Sequence, residues 1–227
     1  MSSAERAPIG LLGAVCHRCR VRQEDLLRPG PQDLEWARLP GFGELLARLN
    51  LEALSWDAAQ LVHDLVIADR PSACLEVGLG QGASTLAILQ ALETLGAGQL
   101  LSIDRNREPP GLPRVSAAGV EERHTFVCAP SYLALPSLVR DDRRFQFAMI
   151  DGRHLFDYLL VDLFYTDLLL EVGGLMVVDD VDRPELERAA RFFETNRAYS
   201  RVGDVPPRLA VLRKGADDSR EHEWAPF

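Results

Sequence analysis

Two apolar runs of this chain end in acids whose spacing could do chemistry. Ile150-Asp151-Gly152-Arg153-His154 closes one run, and Val177-Val178-Asp179-Asp180 closes another. If both runs are parallel strands of one sheet, their C-terminal ends share the edge at which ligands bind, so three carboxylates meet without being neighbours in sequence. Hard oxygen donors of this kind suit Mg²⁺ or a similar divalent cation, which keeps waters that a substrate oxygen can replace. The competing explanation is helix capping, by Asp151 or Gly152 before a helix at His154 and by Asp182 before Pro184. Capping accounts for one acid at each place but not for the Asp179-Asp180 pair. His154, three residues past Asp151, can turn its ring back over the strand edge, where a neutral imidazole could accept a hydroxyl proton. A local hydrogen bond at the helix start is the equally open alternative.

The second constellation is Glu76-Val77-Gly78-Leu79-Gly80-Gln81-Gly82-Ala83-Ser84, between an apolar run and a helical pattern. Glycines there permit a tight turn and close approach of a ligand to the backbone, and the helix start offers free N–H groups. A nucleoside is implied. Gly78-x-Gly80-x-x-Ala83 also satisfies the dinucleotide pattern, with Asp104 placed to grip a ribose. Glu76 argues the other way, because an acid just before the glycines would repel a pyrophosphate and suit a cationic amino-acid moiety. A nicotinamide enzyme would also need a Tyr-Lys pair or its equivalent, and the one lysine of the chain, Lys214, sits near its end.

To position these residues, short apolar runs must alternate with helices, the pattern of βαβ units and a parallel sheet. The expected strands are 73–77, 99–103, 124–128, 145–150 and 175–178. Between the last two, Leu155, Leu159 and Leu163 form one helical ridge and Phe156, Leu160 and Phe164 another, with Gly173-Gly174 as a left-handed stop. A charged helix from Pro184 to Tyr199 follows. The stretch 208–213 reads as a closing strand, antiparallel to a partner near 200–202. The fold class is therefore α/β, a doubly wound, mostly parallel sheet with a C-terminal antiparallel strand pair and an N-terminal helical appendage. Helices are expected over 42–54 and 56–67, the second ending before Pro71. The division is an appendage at 1–55, serving as a lid or in dimerisation, a ligand-binding domain at 56–214 and a loose polar tail at 215–227, where Trp224 and Phe227 could dock.

Glu-x-Gly-x-Gly-x-Gly resembles the first motif of the Rossmann-like (class I) S-adenosylmethionine-dependent methyltransferases. That resemblance implies that Gly78, Gly80 and Gly82, with Glu76 and Ser84, surround the methionine part of the cofactor and that Asp104 holds the ribose hydroxyls. The pattern Ile-Asp-Gly-x-His, long helix, Gly-Gly, apolar strand and Asp-Asp resembles the metal-dependent small-molecule O-methyltransferases of the macrocin and cephalosporin-pathway type, and more distantly the catechol type. It covers roughly residues 56 to 214. It implies a divalent cation, Mg²⁺ or similar, on Asp151, Asp179 and Asp180, with Asp151 also beside the cofactor, and an adenine contact by Ser131, which is also an ordinary helix N-cap. Catechol-type enzymes carry a basic lysine three residues after the first metal acid; this chain has His154 there. The implied activity is methyl transfer to a hydroxyl of a small molecule, with natural-product biosynthesis as the implied setting. A metal-independent or nitrogen-directed methyltransferase, or a non-catalytic small-molecule-binding protein of the same fold, remains the alternative.

With 227 residues, 47% of them hydrophobic, the chain can bury one full-sized core. A formal charge of −9 argues against nucleic acid and anionic membranes, which are bound by clustered Lys and Arg. Asp157, Asp162 and Asp167 interrupt the most apolar stretch, so no membrane span is expected, and residues 1–12 lack a secretory pattern. The expected setting is the cytoplasm, as a homo-oligomer, in the simplest case a dimer. Cys16 and Cys19 form a CxxC without the second ligand pair that a structural zinc needs, and Cys74 and Cys128 read as small core residues.

Overall fold

The structure, a computed structural model, describes residues 54–203 and 205–220. The expectations for the appendage at 1–55, all but its last two residues, for Cys16 and Cys19, and for Trp224 and Phe227 lie outside the described residues, as does the 42–54 helix but for Leu54.

The described chain runs α1 (Trp56–Asp69), β1 (Ala73–Val77), α2 (Ala83–Leu95), β2 (Gln99–Asp104), α3 (Gly111–Ala117), β3 (His124–Cys128), α4 (Ser131–Arg140), β4 (Phe145–Ile150), α5 (Phe156–Leu169), β5 (Leu170–Val178), α6 (Pro184–Asn196), β6 (Tyr199–Arg201) and β7 (Ala210–Lys214). The seven strands form one sheet in the order β3-β2-β1-β4-β5-β7-β6. β1 pairs in parallel with β2 and β4, and β7 is antiparallel to both β5 and β6. The strand order reverses beside β1 and β4, the switch point at which ligands bind in such sheets.

Alternation along each strand sorts its side chains between two cores. Cys74, Leu100, Phe147, Met149 and Val177 face α1 and α2. Leu75, Val77, Ile103, Ala148, Ile150 and Val178 face α4, α5 and α6. Both faces are covered, so the strands read as nearly continuous apolar runs. Glu76 falls on the α1–α2 face, and period two therefore buries it completely. No helix of the described residues is long and apolar enough to cross a membrane.

Three expectations change, the first being that the charged helix stops at Asn196 and Tyr199 already opens β6. Gly173-Gly174 does not stop α5: the helix ends at Leu169 and β5 begins at once. The glycines lie in an irregular stretch where the register jumps, Phe145 facing Leu170 and Phe147 facing Leu175. Gly173 has φ +88, and a Cβ on Gly174 would lie 2.9 Å from the Gln146 carbonyl oxygen, so both positions exclude larger residues. Lys214 occupies the end of the helix. Its buried ammonium donates to the carbonyls of Asp167 (2.7 Å) and Leu170 (2.9 Å), a cation on the negative end of the helix dipole. The tail is polar but not loose over 217–220: Asp218 meets Arg197 at 2.5 Å and Arg220 at 2.7 Å, and Asp217 meets Lys214 at 2.8 Å.

Candidate functional site

The C-terminal ends of β1, β2, β3 and β4 open onto a cavity of about 640 Å³. Gly78 to Ser84, Asp104 and Ser131 line it together with Asp151, Gly152, Arg153 and His154. The sheet thus brings the glycine loop, Asp104, Asp151 and His154 to one cavity, whereas Asp179 and Asp180 do not line it and reach it only through the contact of Asp180 with His154.

The glycine loop has no room for side chains where it turns. A Cβ on Gly78 would lie 1.9 Å from the Asp151 carbonyl oxygen, and one on Gly82 would lie 2.8 Å from the Gly111 Cα. Gly78, Gly80 and Gly82 all have positive φ, the region that side chains disfavour. Asp104 anchors the loop from β2. Its Oδ2 accepts from the backbone N–H of Leu79 (3.1 Å) and Gly80 (2.9 Å), and its Oδ1 from that of Asn106 (2.7 Å).

Glu76 is placed differently from expectation. It does not line the cavity; its carboxylate lies beneath the loop and accepts from Ser84 (2.6 Å), Thr85 (2.8 Å) and Ser102 (2.6 Å). Burial pushes its pKa up to about 7 against the pull of those three hydroxyls. The strand period sends this side chain under α2, so Glu76 locks the loop from below instead of facing a ligand. Ser84 borders the cavity but donates its proton to Glu76. Ser102 also meets His124 Nε2 at 2.9 Å. With the Ser102 proton given to Glu76, that ring nitrogen must carry the hydrogen. Burial lowers the His124 pKa to about 4.

At the other end, capping is not what the acids do. The N-caps of α5 and α6 are Leu155 and Arg183, with no side-chain cap bond at either. Asp151 is pushed well above the usual carboxylate range by burial and by the charges of Asp179 and Asp180. His154 makes no local helix contact of the kind considered: its Nδ1 lies 2.6 Å from Asp180 Oδ2, and it remains 45% exposed against 10% for the acid. Asp180 has φ +58, a left-handed conformation that Asp adopts more readily than most side chains and that Arg70 and Asp142 share among the described residues.

Arg208 enters from the approach to β7. Its Nε donates to Asp179 Oδ1 (2.6 Å), and its Nη2 donates to Asp179 Oδ2 (2.5 Å) and to Asp180 Oδ1 (3.0 Å). Burial opposes the charge of Arg208, but the Asp179 hydrogen bond and the surrounding acids raise its pKa above the ordinary value. Burial raises the Asp179 pKa, and Arg208 pulls it back.

Ser131 is the first residue of α4, behind Pro130 as N-cap. Its hydroxyl bonds Asp162, whose pKa burial lifts to about 6 and whose Oδ1 has no partner among the described residues. Tyr132 and Tyr158 complete this wall, their rings 6.1 Å apart and edge-to-face, with the Arg153 guanidinium 4.7 Å from the Tyr158 centroid. Lone aromatics and arginines carry no sequence signature, and Tyr132, Tyr158 and Arg208 become visible as cavity or site residues only through the fold.

A methyltransferase domain family matches residues 75–181. Caffeoyl-CoA O-methyltransferase 2 of Eucalyptus globulus is 31% identical over 186 residues, covering 71% of this chain and 70% of that enzyme. The chain belongs to the S-adenosylmethionine-dependent O-methyltransferases. The caffeoyl-CoA O-methyltransferase of Stellaria longipes is 29% identical over 129 residues, 54% of this chain, and the match spans about half, 52%, of that relative's length. The solved O-methyltransferase TomG of Streptomyces achromogenes, in complex with SAM, shares the fold, with a TM-score of 0.63 at 19% identity over 85% of this chain and 94% of that one.

The cofactor of this O-methyltransferase family fits the cavity. The volume lies in the range of ligand sites, and the side-chain-free loop allows close backbone approach. A divalent cation, by contrast, does not fit the acids as they stand. Both oxygens of Asp179 and one of Asp180 are taken by Arg208, and the other Asp180 oxygen by His154. Among the described residues no group of three or more His, Cys, Asp or Glu is placed to hold a metal ion.

Proposed function

We propose that this chain transfers a methyl group to a hydroxyl of a small molecule. The observation that carries the reading is one cavity lined at one end by the Gly78–Ser84 loop with Asp104 and at the other by Asp151 and His154. S-adenosylmethionine, when bound, supplies a methyl carbon on a sulfonium, and the hydroxyl oxygen attacks that carbon as the bond to sulfur breaks and the thioether leaves.

The chain's own residues supply alignment and a proton acceptor. Gly78, Gly80 and Gly82 let the backbone close on the amino-acid part, and Asp104 keeps lone pairs for ribose hydroxyls while its other contacts hold the loop. Ser131 with the Tyr132–Tyr158 wall forms the flat side suited to an adenine. Asp151 borders the cavity and orients the substrate oxygen. His154 takes the hydroxyl proton, and Asp180 beside Nδ1 fixes the orientation of the ring. Holding the two reactants in line removes several kcal/mol of the barrier. The exposed apolar residues Val161, Phe164 and Leu168 along α5, with Val172, support a homo-oligomer. We place the enzyme in the cytoplasm, with a natural product or another small molecule as its substrate.

The test is transfer of labelled methyl from S-adenosylmethionine to a panel of phenols, catechols and aliphatic alcohols, with amines as controls. Labelled ethers are the expected products. Methylation of amines alone would move the reading to nitrogen, and binding of the cofactor with no transfer to any acceptor would favour a binding protein.

A further inference from the structure

We propose that Arg208 stands where this type of site would hold a divalent cation, so that its guanidinium organises Asp179 and Asp180 and the chain binds no metal there. The inference rests on the methyl-transfer reading for its purpose, but not for its evidence.

Three observations carry it. First, one planar guanidinium satisfies both oxygens of Asp179 and reaches Asp180, the bidentate geometry that distinguishes arginine from a point charge. The side chain of Asp179 is 1% exposed, so without this cation its charge would be buried and unpaired. Second, the backbone delivers Arg208 to the acids. Val181 N–H donates to the Arg208 carbonyl (2.9 Å), Leu209 N–H closes a turn onto Pro206 (2.8 Å), and Ala210 pairs with Val178 at the end of β5. Third, the arrangement divides Asp180 between Arg208 on one oxygen and His154 on the other, where Arg183 also stands at 3.4 Å. Asp180 itself sits in the left-handed conformation, with φ +58.

A divalent ion and the guanidinium cannot share these oxygens. Like charges held that close in a partly buried site repel strongly. The metal would have to expel Arg208 and take Asp180 from His154. With the arginine in place, the acid pair carries less net charge, and Asp151 and His154 remain free of metal coordination at the cavity wall. Arg208 is thus a positioning residue, acting on His154 through Asp180.

The experiment is titration of the full chain with Mn²⁺ alone, followed by the loss of the free-ion electron paramagnetic resonance signal. The wild type is expected to show no saturable site into the millimolar range. Arg208→Met should gain one, binding at least about tenfold tighter, or 1.4 kcal/mol, while Arg208→Lys, which keeps a positive charge, should not. A wild-type site of one ion per chain that Asp179→Asn abolishes would overturn the proposal. So would absence of binding in both wild type and a folded Arg208→Met, because the arginine would not then be what keeps the ion out. If Arg208→Met does not fold, Arg208→Gln takes its place, and the wild-type titration still decides. Methyl transfer is assayed separately with and without chelator and is expected to be equal in both. Failure of all methyl transfer would count against the proposed function and leave the Mn²⁺ result standing.

Discussion

At the glycine-loop end of the cavity one buried acid, Glu76, is satisfied by three hydroxyls. Behind the other end two acids, Asp179 and Asp180, meet the Arg208 guanidinium and the His154 imidazole, with Arg183 a further 3.4 Å from Asp180 Oδ2. The first arrangement uses neutral donors, two of which, Ser84 and Thr85, follow Glu76 closely in sequence. The second uses a cation from the far side of β5. A neutral cradle fixes backbone shape and suits recognition of a bound cofactor. A charged cluster fixes the position of a proton acceptor and suits catalysis. Variants at the two ends should therefore fail in different ways.

The largest separation is expected at His154. His154→Ala should lower turnover about 10²- to 10⁴-fold while calorimetric affinity for S-adenosylmethionine stays nearly unchanged. A variant that keeps its rate would remove His154 from the chemistry and leave the acid end a structural cluster.

On the glycine side the effect should be on stability and affinity instead. Gly78→Ala places a Cβ 1.9 Å from the Asp151 carbonyl oxygen at φ +92, so it should cost about 2 to 4 kcal/mol in denaturant unfolding and abolish cofactor binding. Full binding by this variant would mean that the loop is looser than its geometry.

The pH behaviour of the loop support offers a third measurement. Burial raises the Glu76 pKa to about 7 from a model-peptide value of 4.5, so its contribution to stability is full below about 4.5 and is lost as pH rises through 7. His124, lowered to about 4 from 6.5, contributes stability that is full above 6.5 and is lost as pH falls through 4. Each span corresponds to about 3 kcal/mol, and between 4.5 and 6.5 the two slopes oppose each other. Glu76→Gln should leave a stability that rises with pH across that window, and His124→Gln one that falls. Identical pH profiles in both variants and the wild type would show that neither group titrates with folding.

The smallest expected effect is at Asp104. Its replacement by Ala should weaken S-adenosylmethionine binding by about 1.5 to 3 kcal/mol, through lost ribose contacts and a freed loop, with turnover at saturation less affected. A fall in turnover without a change in affinity would break the division between the two ends.

By itself the sequence determined the strand–helix alternation, the glycine loop and the convergence of Asp104, Asp151 and His154 on one edge. These follow from local rules: apolar period, glycine conformation and the common direction of parallel strands. It misread Glu76, because motif position does not reveal side-chain direction, which the two-residue period of β1 decides. It misread Gly173-Gly174 because glycine serves a register shift as well as a helix end, and only the pairing of β5 with β4 tells them apart. It gave Lys214 no structural role, although the fold sets that ammonium against the last carbonyls of α5. Above all, the counter-charge of the acid pair was decided by tertiary structure. Asp179 and Arg208 are separated by the whole of α6 and β6 and meet because β7 runs antiparallel to β5. An electrostatic partner is chosen by distance in space, and nothing in the local pattern around Asp179-Asp180 distinguishes a pair that awaits a metal from one already held by an arginine.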